Sequence, residues 1–289
     1  MASIRQLKSR IRSVKNTKQI TKAMELVAAS KMRRAQEADK ASAPYTGAAN
    51  ELLTFFANQG ITDEHPLFQV RPVKNRLLIV IAADRGLVGA YNSNVFKAFI
   101  RELEADRKSD IGNASITVGR RVSQFVTRLK GVKVGGVYEN LPDQPTGAEL
   151  RAILDTAVSK FETGEVDAVD VVYTEFISSI NQRAVVKRVL PAGFVQTEVS
   201  EKLQDALYEP NAQAVLDGVA YRLVEAQIFQ ALLDAKASEY SMQMIAMKNA
   251  TDNASELVDD LTVAMNKVRQ SAITQELAEI SGGVEALKE

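Results

Sequence analysis

The stretch from Val219 to Ser281, VAYRLVEAQIFQALLDAKASEYSMQMIAMKNATDNASELVDDLTVAMNKVRQSAITQELAEIS, runs for 63 residues without a glycine or a proline. Helix interiors exclude those two residues, whereas turns need them. Ala, Leu, Met, Gln and Glu dominate the stretch, and all five are good helix formers. Apolar side chains recur along it at helical spacing, first at Leu257, Leu261, Met265, Val268 and Ala272, then at Ile273, Leu277, Ile280 and Val284. The helix enters through the turn-like Tyr208-Glu209-Pro210-Asn211 and stops at Gly282-Gly283, a C-cap pair. At about 1.5 Å per residue it spans roughly 95 Å, too long for one small domain to cover.

Moving toward the N-terminus, every one of the seven prolines and all but two of the 15 glycines lie between Pro44 and Gly218. From Met1 to Ala43 there is again neither. The chain therefore reads as long helix, compact domain, long helix, with parts at 1–58, 74–207 and 211–284. In the first helix Ile4, Leu7, Ile11 and Val14 give the 3-4-3 spacing of a coiled-coil seam. Thr17 and Lys18 interrupt it, and the apolar residues resume at Ile20, Met24, Val27 and Met32, which predicts a displaced seam and a locally irregular rod.

The middle alternates strand and helix. Leu77-Leu78-Ile79-Val80-Ile81-Ala82 is a short continuous apolar run, the pattern of a strand buried on both faces. Further strands are predicted at 114–118, 133–138 and 168–176, with an edge strand at 185–190. Helices are predicted at 94–107, 122–129 and 147–161. This alternation predicts an α/β fold, a doubly wound, mostly parallel, Rossmann-like sheet carrying a long antiparallel two-helix coiled coil made from the N- and C-terminal segments. Two helices that enter and leave one domain must run antiparallel if they pair. The second is longer by about 20 residues, so its tip overhangs by roughly 30 Å and leaves Ile273, Leu277, Ile280 and Val284 without a partner in the chain. An exposed apolar stripe of that kind marks a binding surface.

Charge is balanced overall, with 36 basic and 36 acidic residues, which predicts no special affinity for nucleic acid. It is not balanced locally. Residues 1–34 hold ten Lys or Arg, among them Lys8, Arg10 and Arg12, against the single acid Glu25. Like charges at this density repel along a helix, and an acidic partner would offset that.

Chemistry is harder to find. There is no Cys, which excludes disulfides, thiolate nucleophiles and cysteine-ligated metals. The one His, His65, sits in a polar stretch and reads as a surface loop residue. Neither a P-loop nor a G-x-G-x-x-G follows the first strand. Asp84-Arg85-Gly86 at that strand's carboxyl end reads as a turn with an internal ion pair, and Gly119-Arg120-Arg121 is only a lone basic turn. Asp167, Asp170 and Glu175 show no convergence, and Met242, Met244 and Met247 read as coiled-coil core. No catalytic, cofactor-binding or metal-binding residue is assigned. The missing phosphate loops argue against an α/β nucleotide enzyme and the lack of a groove-reading element against a nucleic-acid protein using the basic helix, while a plain coiled-coil scaffold stays open on pattern alone. No run is long and apolar enough to cross a membrane and the start lacks a signal-peptide core, so the chain reads as one that stays in a cytoplasmic compartment.

Three helical segments carry a resemblance. Ile20-Thr-Lys-Ala-Met-Glu-Leu-Val-Ala-Ala-Ser-Lys-Met32, Ala246-Met-Lys-Asn-Ala-Thr-Asp-Asn-Ala254 and Arg269-Gln-Ser-Ala-Ile-Thr-Gln-Glu-Leu-Ala-Glu-Ile-Ser-Gly-Gly283 resemble the signatures of F-type ATP synthase γ subunits. Asp84 to Gly89 and Tyr208 to Pro210 resemble two more of the family's motifs, and the match runs the whole chain in order. The resemblance implies a non-catalytic rotating shaft without a cofactor. Its partners would be three α and three β subunits around the rod, an ε subunit and the membrane c-ring, with peripheral attachment at the cytoplasmic face of a bacterial membrane. It further implies that Met24, Arg269, Gln270, Thr274 and Glu276 meet the β subunits and that the tip from Ile273 to Val284 sits in an apolar sleeve. Tyr208 and Glu209 would lie near the c-ring. The absence of Cys and of the regulatory insertion fits an ordinary bacterial form without the chloroplast redox switch.

Overall fold

The computed structural model describes residues 3–143, 145–200, 203, 208–209 and 211–286, without the side chains of residues 42, 43, 45, 46 and 282–286. In chain order the elements are α1 (Ile4–Asn58), a 3-10 turn (Pro66–Phe68), β1 (Asn75–Ile81), α2 (Tyr91–Lys108), β2 (Gly112–Val118) and α3 (Arg120–Val126). They continue with β3 (Lys133–Tyr138), α4 (Gly147–Glu162), β4 (Ala168–Phe176), β5 (Gln182–Leu190) and α5 (Ala212–Ala286). Two compact units divide them, Ala28–Gln243 and the pair Met1–Val27 with Met244–Glu289.

In the larger unit the strands lie in the order β3-β2-β1-β4-β5, all parallel except β5, which runs antiparallel to β4 as an edge. Alternation along each strand sorts its side chains to two faces. Leu77, Ile79, Ile81, Ile116, Val169 and Val171 join Leu150, Ile153 and Phe161 of α4, Leu53 and Phe56 of α1, and the α5 residues from Leu216 to Ala235. Leu78, Val80 and Val172 meet Val95 and Phe99 of α2 and Val122 and Val126 of α3 on the other face. At about 1.5–3 kcal/mol per fully buried large side chain, these two layers dominate the fold's stability. Local signals agree. A reciprocal capping box starts α4, with the Ala148 amide donating to Thr146 Oγ1 at 3.4 Å and the Thr146 amide to Glu149 Oε2 at 2.8 Å.

Pro44 lies inside α1. A proline there removes one helical donor and costs about 3 kcal/mol. The chain continues the helix because the residues beyond it, Ala49, Leu53, Phe55 and Phe56, bury themselves in the core. His65 departs from expectation. It is only 5% exposed, its Nδ1 accepts from the Leu67 amide at 3.2 Å, and its Nε2 stands 3.3 Å from Asp217 Oδ1. Burial holds its pKa below the usual value, with Asp217 pulling the other way. The polar residues beside it in sequence are not the partners of its ring; those are the Leu67 amide and Asp217 of α5.

The smaller unit is the helix pair. Thr21 Oγ1 and Thr251 Oγ1 lie 2.8 Å apart in its seam, both buried. Leu7 is buried too. It lies 14 positions before Thr21, so a parallel pair would set it opposite residue 237 (251 − 14), outside this unit, while an antiparallel pair sets it opposite Met265 (251 + 14). The helices are therefore antiparallel. From Thr251 on, buried or half-buried positions on α5 follow an unbroken 3-4 heptad, Thr251, Ala254, Val258, Leu261, Met265, Val268 and Ala272, with Ser255 and Thr262 half-buried beside it, while Leu257 faces outward. On α1 they fall at Leu7, Ile11, Val14 and Thr21, with Met24 and Glu25 half-buried beyond.

The expected displaced seam is thus corrected. The phase carries straight through Lys18 to Thr21, and Ile20 and Val27 point out, 60% and 55% exposed. Counting apolar residues put the seam on Ile20; two threonines that satisfy each other hold it on Thr21 instead. A buried polar layer of this kind sets register in coiled coils. Thr21→Val or Thr251→Val alone should lower unfolding stability by about 1 kcal/mol. The double substitution should lower it by less than the sum, a coupling that a urea double-mutant cycle on the purified chain measures; strict additivity would show that the pair carries no shared energy.

Candidate functional site

A doubly wound sheet binds ligands at the carboxyl ends of its strands, where the strand order reverses. Here that is the gap between β1 and β4, and α5 packs across the strand ends beside it, on β1 and β2 and, through Ser238, on the Thr174 carbonyl of β4. Ile81, Ala82, Val118 and Gly119 from the sheet face Leu232, Ala235, Lys236 and Glu239 of α5 around a cavity of about 10 Å³. That is room for one water at most, against the several hundred Å³ of a small-molecule pocket. Glu239 is buried there and its pKa is raised, chiefly by burial, with Lys236 opposing and Asp84 adding to the rise.

The loops around the crevice are tied to one another. Asp84 Oδ1 accepts from the amides of Arg120 and Asn140 at 2.9 and 3.0 Å, joining the ends of β1, β2 and β3. This corrects the expected Asp84–Arg85 ion pair, since that carboxylate serves backbone amides across the sheet rather than its neighbour. Arg120 Nη2 donates to Asn140 Oδ1 at 2.9 Å and its Nε lies 3.5 Å from Glu139. Gly119 takes φ +105°, and a Cβ there would meet the Ala82 carbonyl oxygen at 2.1 Å. The glycine is needed for the close approach of two backbones. Met242 packs on Ala83, Val88 and Tyr91 of the α/β unit, so it is not coiled-coil core as expected.

Asp167, Asp170 and Glu175 do not converge. Asp167 accepts from the Lys74 and Asn75 amides at 2.8 and 2.9 Å, which holds its pKa low. Asp170, almost fully buried, pairs with both Arg76 and Arg188. Arg76 also reaches Glu102 at 2.7 Å and Asp106 at 3.1 Å. Burial works against its charge, but the three carboxylates outweigh it and raise its pKa. Sequence reasoning missed this network; the signal was an Asp set inside the β-branched strand Ala168-Val-Asp-Val-Val172. Among the described residues no group of three His, Asp or Glu is arranged to hold a metal. Asp170→Asn would leave two guanidinium groups short of their partner, one of them buried. It should cost about 3–5 kcal/mol in urea unfolding, and a loss under 1 kcal/mol would show that Arg76 redistributes to its other carboxylates.

The helix pair presents a different surface. Lys8, Arg10 and Arg12 are all exposed on α1. Met24 is half-buried at the flank of the seam, between buried Thr21 and exposed Ile20 and Val27. On α5, Arg269, Gln270, Thr274 and Glu276 are exposed, and Ile273, Leu277 and Ile280 are 49%, 61% and 64% exposed. The register set by the threonines puts Ile4 opposite Val268 (272 − 4), so α5 from Arg269 on lies beyond the first residue of α1. The side chain of Val284 lies outside the described residues. In the other unit Glu209 is exposed, while Tyr208 is half-buried against Phe55 and Phe56, with ring centroids 6.0 and 5.2 Å away.

Fold and surfaces together define a doubly wound α/β unit whose ligand crevice is closed by its own helix, combined with an antiparallel helix pair that bears unpartnered apolar and basic faces. A family profile described as ATP synthase matches residues 3–287. The ATP synthase gamma chain of Macrococcus caseolyticus is 40% identical over 288 residues, covering all of both chains, and that of Stenotrophomonas maltophilia is 39% identical over 99% of this chain and all of its own. The chain belongs to the ATP synthase gamma-chain family, and it is a non-catalytic subunit. Solved structures share the fold. A chain from the OSCP/F1/c-ring structure of Euglena gracilis mitochondrial ATP synthase aligns with a TM-score of 0.66 at 18% identity, over 98% of this chain and 94% of its own. One from the central stalk/c-ring structure of the Tetrahymena thermophila enzyme aligns with a TM-score of 0.61 at 22% identity, over 80% and 99%.

Proposed function

We infer that this chain works as the central shaft of an F-type ATP synthase, coupling proton flow through the membrane c-ring to ATP synthesis and hydrolysis at the β subunits. Membership of the gamma-chain family over the full length carries that reading. In it, helix 1–58, the α/β part 74–207 and helix 211–284 act as one rotor. The antiparallel pair turns inside a ring of three α and three β subunits, and the α/β part meets the c-ring and the ε subunit. As the pair turns, each β subunit faces a different side of it. Only contacts that differ between β conformations shift their populations, so the rotor's asymmetry is its function.

The surfaces divide accordingly. Met24, between exposed Ile20 and Val27, together with Arg269, Gln270, Thr274 and Glu276, forms the contact with β. Lys8, Arg10 and Arg12 meet acidic loops of the ring, which relieves the like-charge repulsion along α1. Ile273, Leu277, Ile280 and Val284 enter an apolar sleeve that removes their exposed area from water. Tyr208 and Glu209 face the c-ring, Tyr208 holding the chain in place by its ring while Glu209 offers the charge. The complex is membrane-associated, and no described helix is long and apolar enough to cross a membrane. We place the attachment as peripheral, at the cytoplasmic face.

Co-expression with α and β subunits, read by native mass spectrometry and an ATPase assay, tests the assignment. A complex of three α, three β and one copy of this chain, active only when all are present, is expected; a monomer indifferent to α and β would end it. Within that complex, Met24→Lys puts a cation into an apolar contact. It should lower protons pumped per ATP more than it lowers assembly, as should Arg269→Ala and Gln270→Ala, and a normal pumping ratio would remove these residues from the contact.

A further inference from the structure

Between Lys236 and Ser241 the character of α5 changes. All six residues, Lys-Ala-Ser-Glu-Tyr-Ser, are buried, so this part of the helix is enclosed on every side. Yet five of the six side chains are polar. Three of them make directed bonds to the α/β unit. Ser238 Oγ donates to the Thr174 carbonyl in β4 at 3.1 Å. Ser241 Oγ donates to the Ser179 carbonyl, in the turn between β4 and β5, at 2.7 Å, and accepts from Gln182 Nε2 at 3.0 Å. Tyr240 donates its hydroxyl to one oxygen of Asp143. The other oxygen of Asp143 holds Lys31 Nζ of α1 at 2.6 Å, and that ammonium lies 5.5 Å from the centre of the Tyr240 ring.

Their arrangement around the helix matters. At about 100° per residue, Ser238 and Ser241 point roughly 60° apart, and Tyr240 points roughly 160° from Ser238. The helix is thus held from two sides. Earlier in α5 the buried grip is apolar, through Leu216, Ala220, Leu223, Val224, Ile228 and Leu232, and the directed bonds there, from Tyr221 to Asp155, Gln227 to the Gly193 carbonyl and Asp217 to His65, involve exposed groups at its rim. Apolar burial is non-directional, so such a face resists separation more than it resists a small turn about the helix axis. Hydrogen bonds weaken steeply with angle, so bonds on two sides do resist a turn.

We propose that Ser238, Tyr240 and Ser241 are positioning residues that key α5 against rotation within the α/β unit, so that torque on that unit enters the helix here and runs along it past Met244. Asp143 and Lys31 extend the key to α1. The proposal rests on the reading of the chain as a shaft, and it concerns how the shaft is stiffened rather than whether it is one. Removing the three hydroxyls changes little volume and leaves the apolar grip intact.

The experiment uses the complete synthase reconstituted in liposomes and carrying Ser238→Ala, Tyr240→Phe and Ser241→Ala together. Three readings are taken, namely assembly by native mass spectrometry, protons pumped per ATP hydrolysed, and the torsional stiffness of single rotors tracked by an attached bead. The expected result is normal assembly and hydrolysis near wild type, with a several-fold fall in pumping per ATP and a matching loss of stiffness. Unchanged stiffness and pumping in an assembled complex would overturn the proposal while leaving the shaft intact. Should the triple variant not assemble, Tyr240→Phe alone, which keeps the ring, carries the same comparison; full stiffness there overturns the proposal equally. A wild-type chain that forms no complex at all would instead defeat the shaft reading.

Discussion

Burial of α5 along the α/β unit is the contact from which the rest of the structure follows. Leu216, Leu223, Val224, Ile228 and Leu232 lie in the same cluster as the inner face of the sheet, α4 and the end of α1. Without that cover, one face of β1, β2 and β4 would be exposed to water, and a parallel sheet of near-continuous Val, Ile and Leu strands has to be covered on both faces. The same helix closes the crevice at the carboxyl ends of the strands. A fold that elsewhere supports ligand chemistry is here committed to holding a helix, and the loops that would shape a ligand site, at Asp84, Gly119 and Asn140, instead bind one another.

The large features were legible because they rest on local rules. Glycine and proline mark most turns, so two long helices and an α/β middle could be read from their distribution, but not the helix ends: α1 runs through Pro44 and Gly47, and α5 runs through Gly218 and on past Gly282-Gly283, where a C-cap was expected. The strand Leu77–Ala82 and the edge strand were readable in the same way, the latter only as an edge, since strand direction is not written in the residues. What could not be read was each case in which partners distant in sequence decide the outcome. His65 looked exposed because the carboxylate that meets its buried ring, Asp217, lies far along the chain on α5. Asp170 looked idle because Arg76 and Arg188 are on other strands. Ile20 took the seam from Thr21 because a lone threonine counts as polar, whereas two facing threonines form a satisfied layer.

Of the surfaces, the stripe from Ile273 onward was the most readable, since it needs only helix length and register. The threonine register leaves the 18 residues from Arg269 to Ala286 of α5 beyond the start of α1, against the overhang of about 20 expected from the sequence. The outward face of Ile20 and Val27 was not read as a surface at all. Apolar periodicity says which residues share a face, and only the packed pair says which face looks inward.

The unpaired end of α5 also bears on supply. On the proposed reading, in which a ring encloses Ile273, Leu277 and Ile280, a copy made in excess of its ring keeps them in water, and a contiguous apolar surface left in water drives self-association. Surplus copies are therefore the ones that leave solution or meet proteases, while copies enclosed by a ring are spared. The ratio of one shaft to one ring is then kept by the stability of the product, and synthesis of the subunits need not be matched copy for copy.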